Sequence, residues 1–506
     1  MASKIFTGDL PELMENILNN LKDEIYSLYS CSLVNRHWCR ISIPILWQDP
    51  FSFNQKPSYI SKYFSSLDEE EKIILGEYGI NLEISKTIFD YARFLKVLDL
   101  FRLEEMVKKW IDFQFGISTS FSNSLSLKYH IFNSLLKIFI ENGASLHKFD
   151  LNFFENFKIK SEVFCSLGRN EQFFSQLQDL SLRIIPEINT ESAITLLKVL
   201  VKNAMKIKYL KFEEFYSYDQ QVLRALKSII KSQEQLMQFH LFNSDDEVFE
   251  SLNGVISTLE SQKKSLREFI IELCICNEEF KVLMNCENLE ILRLRHCKDM
   301  KQLTLTDCKI STLEIINLSI DASEIVLILE KSGKLLQRLK LVSKNSMILE
   351  QSLLLKTLKS FCPNITYFEI SNYEFSSQFI DFIGSLQKLQ FLRLGYLWSM
   401  DVITSEKEQI IRFAKILPLT LQCLDLRISY LSSYLCILLK NCYAPLKKLI
   451  INNLLYEEQT KAIIEFCIRK RTLNYVGVNM NFKDEFKKEV EKYVKVVPYK
   501  RIIVNC

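Results

Sequence analysis

Glycine and proline are scarce in this chain: 11 Gly and 9 Pro in 506 residues, where the two together usually supply about 12%. So few turn-formers exclude turn-dense β-sandwiches, flexible Gly-rich linkers and Gly-rich phosphate loops. An excess of one charge is also missing. Lys and Arg number 64 against 61 Asp and Glu, a formal charge of +3, with no long block of one sign, so neither nucleic acid nor a membrane surface is an expected partner. No segment reaches the ~18 uncharged apolar residues of a membrane span, and MASKIFTGDLPEL lacks the apolar stretch of a signal peptide. The expectation is an intracellular protein, cytoplasmic or nuclear. Only five histidines occur, His37, His130, His147, His240 and His296. They form no His-Glu-x-x-His pair, and the Walker, dinucleotide and nucleophile-elbow signatures are absent too. No metal, no cofactor and no catalysis by the chain itself are expected.

What is present is apolar surface. Hydrophobic residues make up 48% and charged residues 25%, the balance of a folded chain. Length alone suggests roughly three domains. The 14 cysteines have no dense, even spacing, so they read as reduced thiols.

Residues 5–50 read as a small helical module. Pro11 suits a first helical turn, and Leu13, Ile17, Leu18 and Leu21 follow on one face. Ile25, Leu28, Tyr29, Leu33 and Val34 form a second segment with Asp23 as its cap, and a third begins at Trp38 and Ile41 and is expected to end at Pro44. About 40 residues bury little by themselves, so the module needs a partner or caps the rest of the chain. Leu10-Pro11-Glu12, Ile17-Leu18, Leu21, Leu28, Val34, Arg36, Trp38 and Leu46-Trp47, in this order and spacing, resemble the F-box. Asn35 stands where many F-boxes carry cysteine, and Ile25 where many carry leucine. The resemblance implies docking to an Skp-type adaptor, and through it to a cullin-RING core. It implies that Leu10, Pro11, Ile17, Leu18, Leu21, Leu28, Val34 and Trp38 supply the contact.

Residues 51–145 read as a helical spacer. Ser66 and Glu69 suggest a capping box, Gly79 a helix end, and a further helix runs from about Asn123 to an Asn142-Gly143 cap. Leu95-Lys-Val-Leu98-Asp-Leu100 matches a strand motif but also continues the helical spacing of Tyr91, Leu95, Leu98 and Met106, and it is assigned to helix.

From residue 146 one pattern recurs, apolar-x-x-apolar-x-apolar. Fourteen copies start at Leu146, Leu177, Ile207, Leu236, Leu266, Leu289, Met300, Ile310, Leu336, Ile365, Leu389, Leu421, Leu446 and Leu473. The last two apolar positions point to one side of a strand. The segments between copies mostly carry helical spacing, and a lone strand-helix unit cannot bury its own face, so the units must stack. The copies at 289, 300 and 310 lie too close together for helices between them. The rival, an all-helical solenoid, does not require these period-2 pairs. The pattern resembles the leucine-rich repeat, and the expected fold is α/β: the helical module followed by a repeat solenoid, residues 146–506, horseshoe-shaped with a parallel sheet on its concave face. Cys274, Cys286, Cys297, Cys308, Cys362 and Cys442 share a repeat phase and read as buried small residues.

On the expected concave face the outward strand positions include Tyr209, Lys211, Arg293, Arg295, Arg338, Lys340, Tyr367, Phe391, Arg393 and Tyr475. This aromatic and basic set would suit an acidic or phosphorylated target. Glu268, Glu314, Glu369 and Asp425 share the face, and the competing reading is a mixed solvated surface. The resemblances together imply the substrate receptor of an Skp-cullin-F-box type ubiquitin ligase; the alternative is a repeat scaffold with no part in ubiquitin transfer.

Overall fold

The computed structural model describes residues 11–52, 56–80, 87–115, 121–153, 159–184, 190–213, 219–242, 254–303, 309–395, 406–452, 457–479 and 484–502. The chain divides into two compact units, 1–244 and 245–506.

The described residues of the first unit begin with three short helices, α1 (Pro11–Asn19), α2 (Ile25–Ser32) and α3 (Arg36–Leu46). Met14, Leu18, Leu28 and Ile45 form their core, with Leu21, Cys31, Trp38, Ile41 and Leu46 packed around it. Asn35, the residue at the F-box cysteine position, caps α3: its side chain accepts the Trp38 backbone N–H at 2.9 Å. Two local readings need correction. Asp23 is not the cap of α2, since Glu24 occupies that position. Pro44 does not end α3, which runs on to Leu46 with the Trp47 N–H bonded to the Ile43 carbonyl at 3.1 Å. A proline this near the end forfeits one hydrogen bond and leaves the last turn intact.

Trp47 stacks on Tyr91 at 4.0 Å, and the Gln48 carbonyl accepts the N–H groups of Lys96 and Val97 at 2.9 Å each, tying the module to the first strand. Further helices follow, α4 (Glu69–Glu77), α5 (Leu100–Phe115) and α6 (Phe121–Glu141). Asp68, not Ser66, caps α4 by accepting the Glu71 N–H at 2.8 Å. Gly79 (φ 81°) and Gly143 (φ 78°) adopt the left-handed conformation beyond their helices, as expected. Between α4 and α6 lies a part-buried polar network. Glu71 Oε2 lies 2.8 Å from His130 Nε2 and accepts the Ser134 hydroxyl at 2.7 Å. Those bonds, His130 first, hold the Glu71 carboxyl down to about 2.

Among the described residues five strands follow the module in the first unit: β1 (Val97–Asp99), β2 (Lys148–Phe153), β3 (Asp179–Ile184), β4 (Tyr209–Glu213) and β5 (Gln238–Phe242). Each pairs in parallel with the next. The assignment of 95–100 to helix is therefore overturned: Leu98 pairs with Phe149 and is fully buried. The helical spacing was real but belongs partly to α5, which starts at the very next residue, Leu100.

Among the described residues the second unit holds ten parallel strands in chain order: β6 (Glu268–Glu272), β7 (Ile291–Arg295), β8 (Thr312–Asn317), β9 (Arg338–Ser343), β10 (Tyr367–Ser371), β11 (Phe391–Leu394), β12 (Cys423–Asp425), β13 (Lys448–Ile450), β14 (Tyr475–Val478) and β15 (Lys495–Pro498). Helices such as Ala322–Ser332, Gln351–Phe361 and Ser377–Ser385 connect them. Both units are leucine-rich-repeat solenoids, one short strand per repeat with its apolar pair turned inward; Leu292 and Leu294, Leu339 and Leu341, and Leu392 and Leu394 are all fully buried. Thirteen of the fourteen motif copies become strands. The exception starts at Met300, where Met300–Gln302 is a 3-10 turn and residues 304–308 lie outside the described set. β7 pairs directly with β8, so no strand stands between them. β15 has no matching copy. Among the described residues no helix is long and apolar enough to cross a membrane.

Replacing Leu98 with Ala is expected to cost about 2–5 kcal/mol, measured as a lower urea midpoint, because its cavity opens beneath a paired strand. Glu71→Gln tests the polar network by pH. The native carboxyl titrates below its usual 4.5, so its stabilisation is complete above that value and fades as pH falls towards 2. The stability gap between wild type and Glu71→Gln should close over that window.

Candidate functional site: the open face of the sheet and the helical module

The pleat decides what reaches the open face. With each inner pair pointing to the core, the residue between them points out, and parallel pairing without offset places it beside its equivalents on neighbouring strands. In the second unit one such row reads Ile270, Arg293, Glu314, Lys340, Glu369, Arg393, Asp425 and Ile450. From Arg293 to Asp425 its charges alternate strand by strand.

Distances show that alternation at work. Arg293 lies 3.0 Å from Glu268 and 3.6 Å from Glu314. Arg295 lies 2.8 Å from Glu314 and 3.7 Å from Glu272, and Lys340 lies 3.9 Å from Glu314. Arg393 bridges Glu369 at 3.2 Å and Asp425 at 3.6 Å, and Arg427 grips Asp425 at 2.7 Å. Glu314, Glu369 and Asp425 are buried in the floor, Asp425 to 1%. Burial without partners would be costly for each carboxylate, and the flanking cations offset part of that cost.

Of the residues singled out on this face, Arg293, Arg295, Arg338, Lys340, Tyr367, Phe391 and Arg393 come together on β7 to β11. Tyr209 belongs to the first unit, where it is exposed on β4. Lys211 beside it pairs with Glu213. The Arg338 guanidinium sits over the Tyr367 ring at 4.3 Å, and Tyr367 stacks on Phe391 at 4.3 Å and hydrogen-bonds Glu369 at 2.8 Å. The set is therefore an internally compensated charge ladder with an aromatic stack at one side. Sequence reading missed Glu272 and Arg427, which lie two residues beyond Ile270 and Asp425; their charge partners emerge only from the folded strands.

A shallow cleft of about 340 Å³ opens beside this ladder, lined by Arg295, His296, Lys340, Lys344, Glu369 and Arg393 among others. His296 takes a left-handed backbone conformation at φ 54° and its Nε2 lies 2.8 Å from the Lys344 ammonium. Burial and that neighbouring charge lower its pKa, so the ring is neutral and accepts the lysine N–H. The cysteines in repeat phase that can be described, Cys274, Cys286, Cys297, Cys362 and Cys442, are all buried; Cys308 lies outside the described residues. Burial pushes the Cys362 thiol up to about 12 and the Cys442 thiol up to about 11, which keeps them protonated and unreactive.

In the helical module the six named residues whose side chains are described do not form one surface. Leu18 and Leu28 are core, Leu21 and Trp38 pack partly against it, and Ile17 and Val34 are 44% and 60% exposed. Leu10 lies outside the described residues, and Pro11 opens α1. Exposed large apolar side chains cluster in this stretch: besides Ile17 and Val34, they are Leu13, Tyr26, Tyr29 and Leu33.

No family model and no curated protein matches the chain. Among solved structures it is similar to a chain of the Rad7 and Elc1 complex from yeast, at 15% identity and a TM-score of 0.39, over 79% of this chain and 93% of that one. It is similar also to the leucine-rich repeat-containing protein LegL7 from Legionella pneumophila, at 14% identity and a TM-score of 0.33, over 55% of this chain and 89% of that one.

The ladder predicts a non-additive response. Asp425→Ala should cost about 1.5–3 kcal/mol by taking their shared carboxylate from Arg427 and Arg393, which are partly exposed and of which Arg393 keeps Glu369. Adding Arg427→Ala should recover part of that loss in urea unfolding, whereas independent contributions would simply sum.

Proposed function

We propose that this chain is the target-recognition subunit of an Skp-cullin-F-box type ubiquitin ligase. The amino-terminal helices dock an Skp-type adaptor, the repeats hold a target protein, and ubiquitin transfer is carried out by other subunits. The observation that carries this reading is the exposure of six large apolar side chains, Leu13, Ile17, Tyr26, Tyr29, Leu33 and Val34, on helices whose own core has four buried residues. Apolar groups left in water in such density are what a docking partner removes from it, at about 1.5–3 kcal/mol for each one fully covered. The order of F-box-like residues in the same helices names the kind of partner. As a receptor, the chain would raise the effective concentration of target lysines near the charged ubiquitin carrier, so affinity and geometry govern the outcome.

Placement of the residues sets the test. Leu18 supports the module's fold, so the informative substitutions are at exposed positions. Co-expression with an Skp-type adaptor should give a stable complex, and Ile17→Asp with Val34→Asp should weaken it at least ten-fold with an unchanged melting temperature. Failure of the wild-type chain to bind any such adaptor would sink the ligase reading. A reconstitution with adaptor, cullin and RING subunits then reads ubiquitin transfer to a captured target.

A further inference from the structure

On an open sheet face, inward and outward residues alternate in burial, as in β7 and β9. That alternation gives way singly on β6, β8 and β10, where Ile270, Glu314 and Glu369 are buried, and over several neighbouring strands at the far end of the second unit. Phe391, Cys423 and Ile450 point to the open face, yet they are 3%, 4% and 2% exposed and form an apolar cluster of their own. Something must cover them, and the structure shows what does. Tyr499 and Ile502, just after β15, pack on this cluster together with Tyr367.

The fit is specific at both ends. Tyr499 lies under the Arg427 guanidinium at 4.4 Å, and Arg427 is itself fixed by two-point contact with Asp425. Ile502 occupies the space above Gly477: a Cβ there would stand 2.6 Å from Ile502 Cδ1 and 3.3 Å from Tyr499 Cα. Residues Tyr499–Arg501 form one 3-10 turn, in which positions i and i+3 eclipse, so Tyr499 and Ile502 both face the sheet while Lys500 and Arg501 are exposed. The attachment is light. The Ile502 N–H returns to the Tyr499 carbonyl at 3.1 Å instead of bonding to a strand, and both anchoring side chains are only partly buried.

We propose that the apolar floor of β10 to β14 is a peptide-binding seat that the chain's own Tyr499–Ile502 turn occupies as a self-ligand, and that a target displaces it with a peptide of the same form. The competing peptide carries an aromatic residue followed three positions later by a branched aliphatic, with polar or basic residues between, in a single 3-10 turn. The aromatic ring takes the place under Arg427 and the aliphatic the place over Gly477. This deepens the reading of the repeats as a target-binding surface and rests on it; it is independent of the adaptor.

The test uses the full chain and a fluorescent peptide of the sequence Lys495–Ile502. Tyr499→Ala with Ile502→Ala should bind this peptide at least ten-fold tighter than wild type does. The peptide bearing the same two alanines should not bind, and adding Gly477→Val to the chain should abolish binding. A folded double variant that ignores the peptide, or that binds both peptides equally, overturns the proposal. A concentration-dependent dimer formed through the segment overturns it in favour of a second copy as the occupant. Should the double variant not fold, the wild type decides through its thiols: a reversible turn exposes Cys423 to alkylation at least ten-fold faster than core Cys442, whereas equal rates mean a permanent cap. Adaptor capture is scored separately, so loss of either result leaves the other readable.

Discussion

Each repeat brings one short strand with two inward apolar side chains, and nothing within the repeat can cover them. Stacking in register is the only way to bury that pair, and the rest of the structure follows from it. Parallel pairing brings equivalent positions of successive repeats to about 4.8 Å from one another. Leucines on the inner side gain from that proximity at every step. On the outer side the same proximity would bring like charges together, and the row from Arg293 to Asp425 avoids this by alternating sign. The open face is shaped by the demand of the core.

The repeat was legible in the sequence because its signal is physical: a period-2 apolar pair recurring at intervals of a strand, a turn and a helix. It failed where that signal has a second source. Leu95 and Leu98 satisfy strand and helix spacing at once, and β1 has only three residues before α5 begins at Leu100. Met300 to Leu303 supplies apolar residues to a covering turn, which imitates the start of a repeat. β15 lacks leucine altogether and pairs through Val496 and Val497 against β14.

Less of the candidate site was legible. Which residues point outward follows from the motif, and Arg293, Arg338, Tyr367 and Arg393 lie where that logic puts them. Their meaning depends on what stands one strand away, and a linear sequence does not display the register. Only with Arg293 set beside Glu314, and Arg393 beside both Glu369 and Asp425, does a basic patch become a neutral ladder. In the helical module, likewise, the apolar spacing does not separate the residues that build its core, Leu18 and Leu28, from those left in water, Ile17 and Val34.

This compensation bears on how the face can bind. An acidic partner arriving at Arg293 or Arg393 meets a cation already held by one or two buried carboxylates. It must either leave that contact intact, as an ion pair worth about 0–1 kcal/mol at a partly exposed position, or break it and strand a carboxylate in the floor. Neither route yields much affinity. The apolar positions at the β10 to β14 end carry no such debt, because a target that takes the places of Tyr499 and Ile502 over Phe391, Cys423 and Ile450 exchanges one apolar cover for another and asks nothing of the ladder except the outer surface of Arg427. On this face the charges satisfy one another across the floor, and the proposed seat lies where they give way to aromatic and aliphatic side chains.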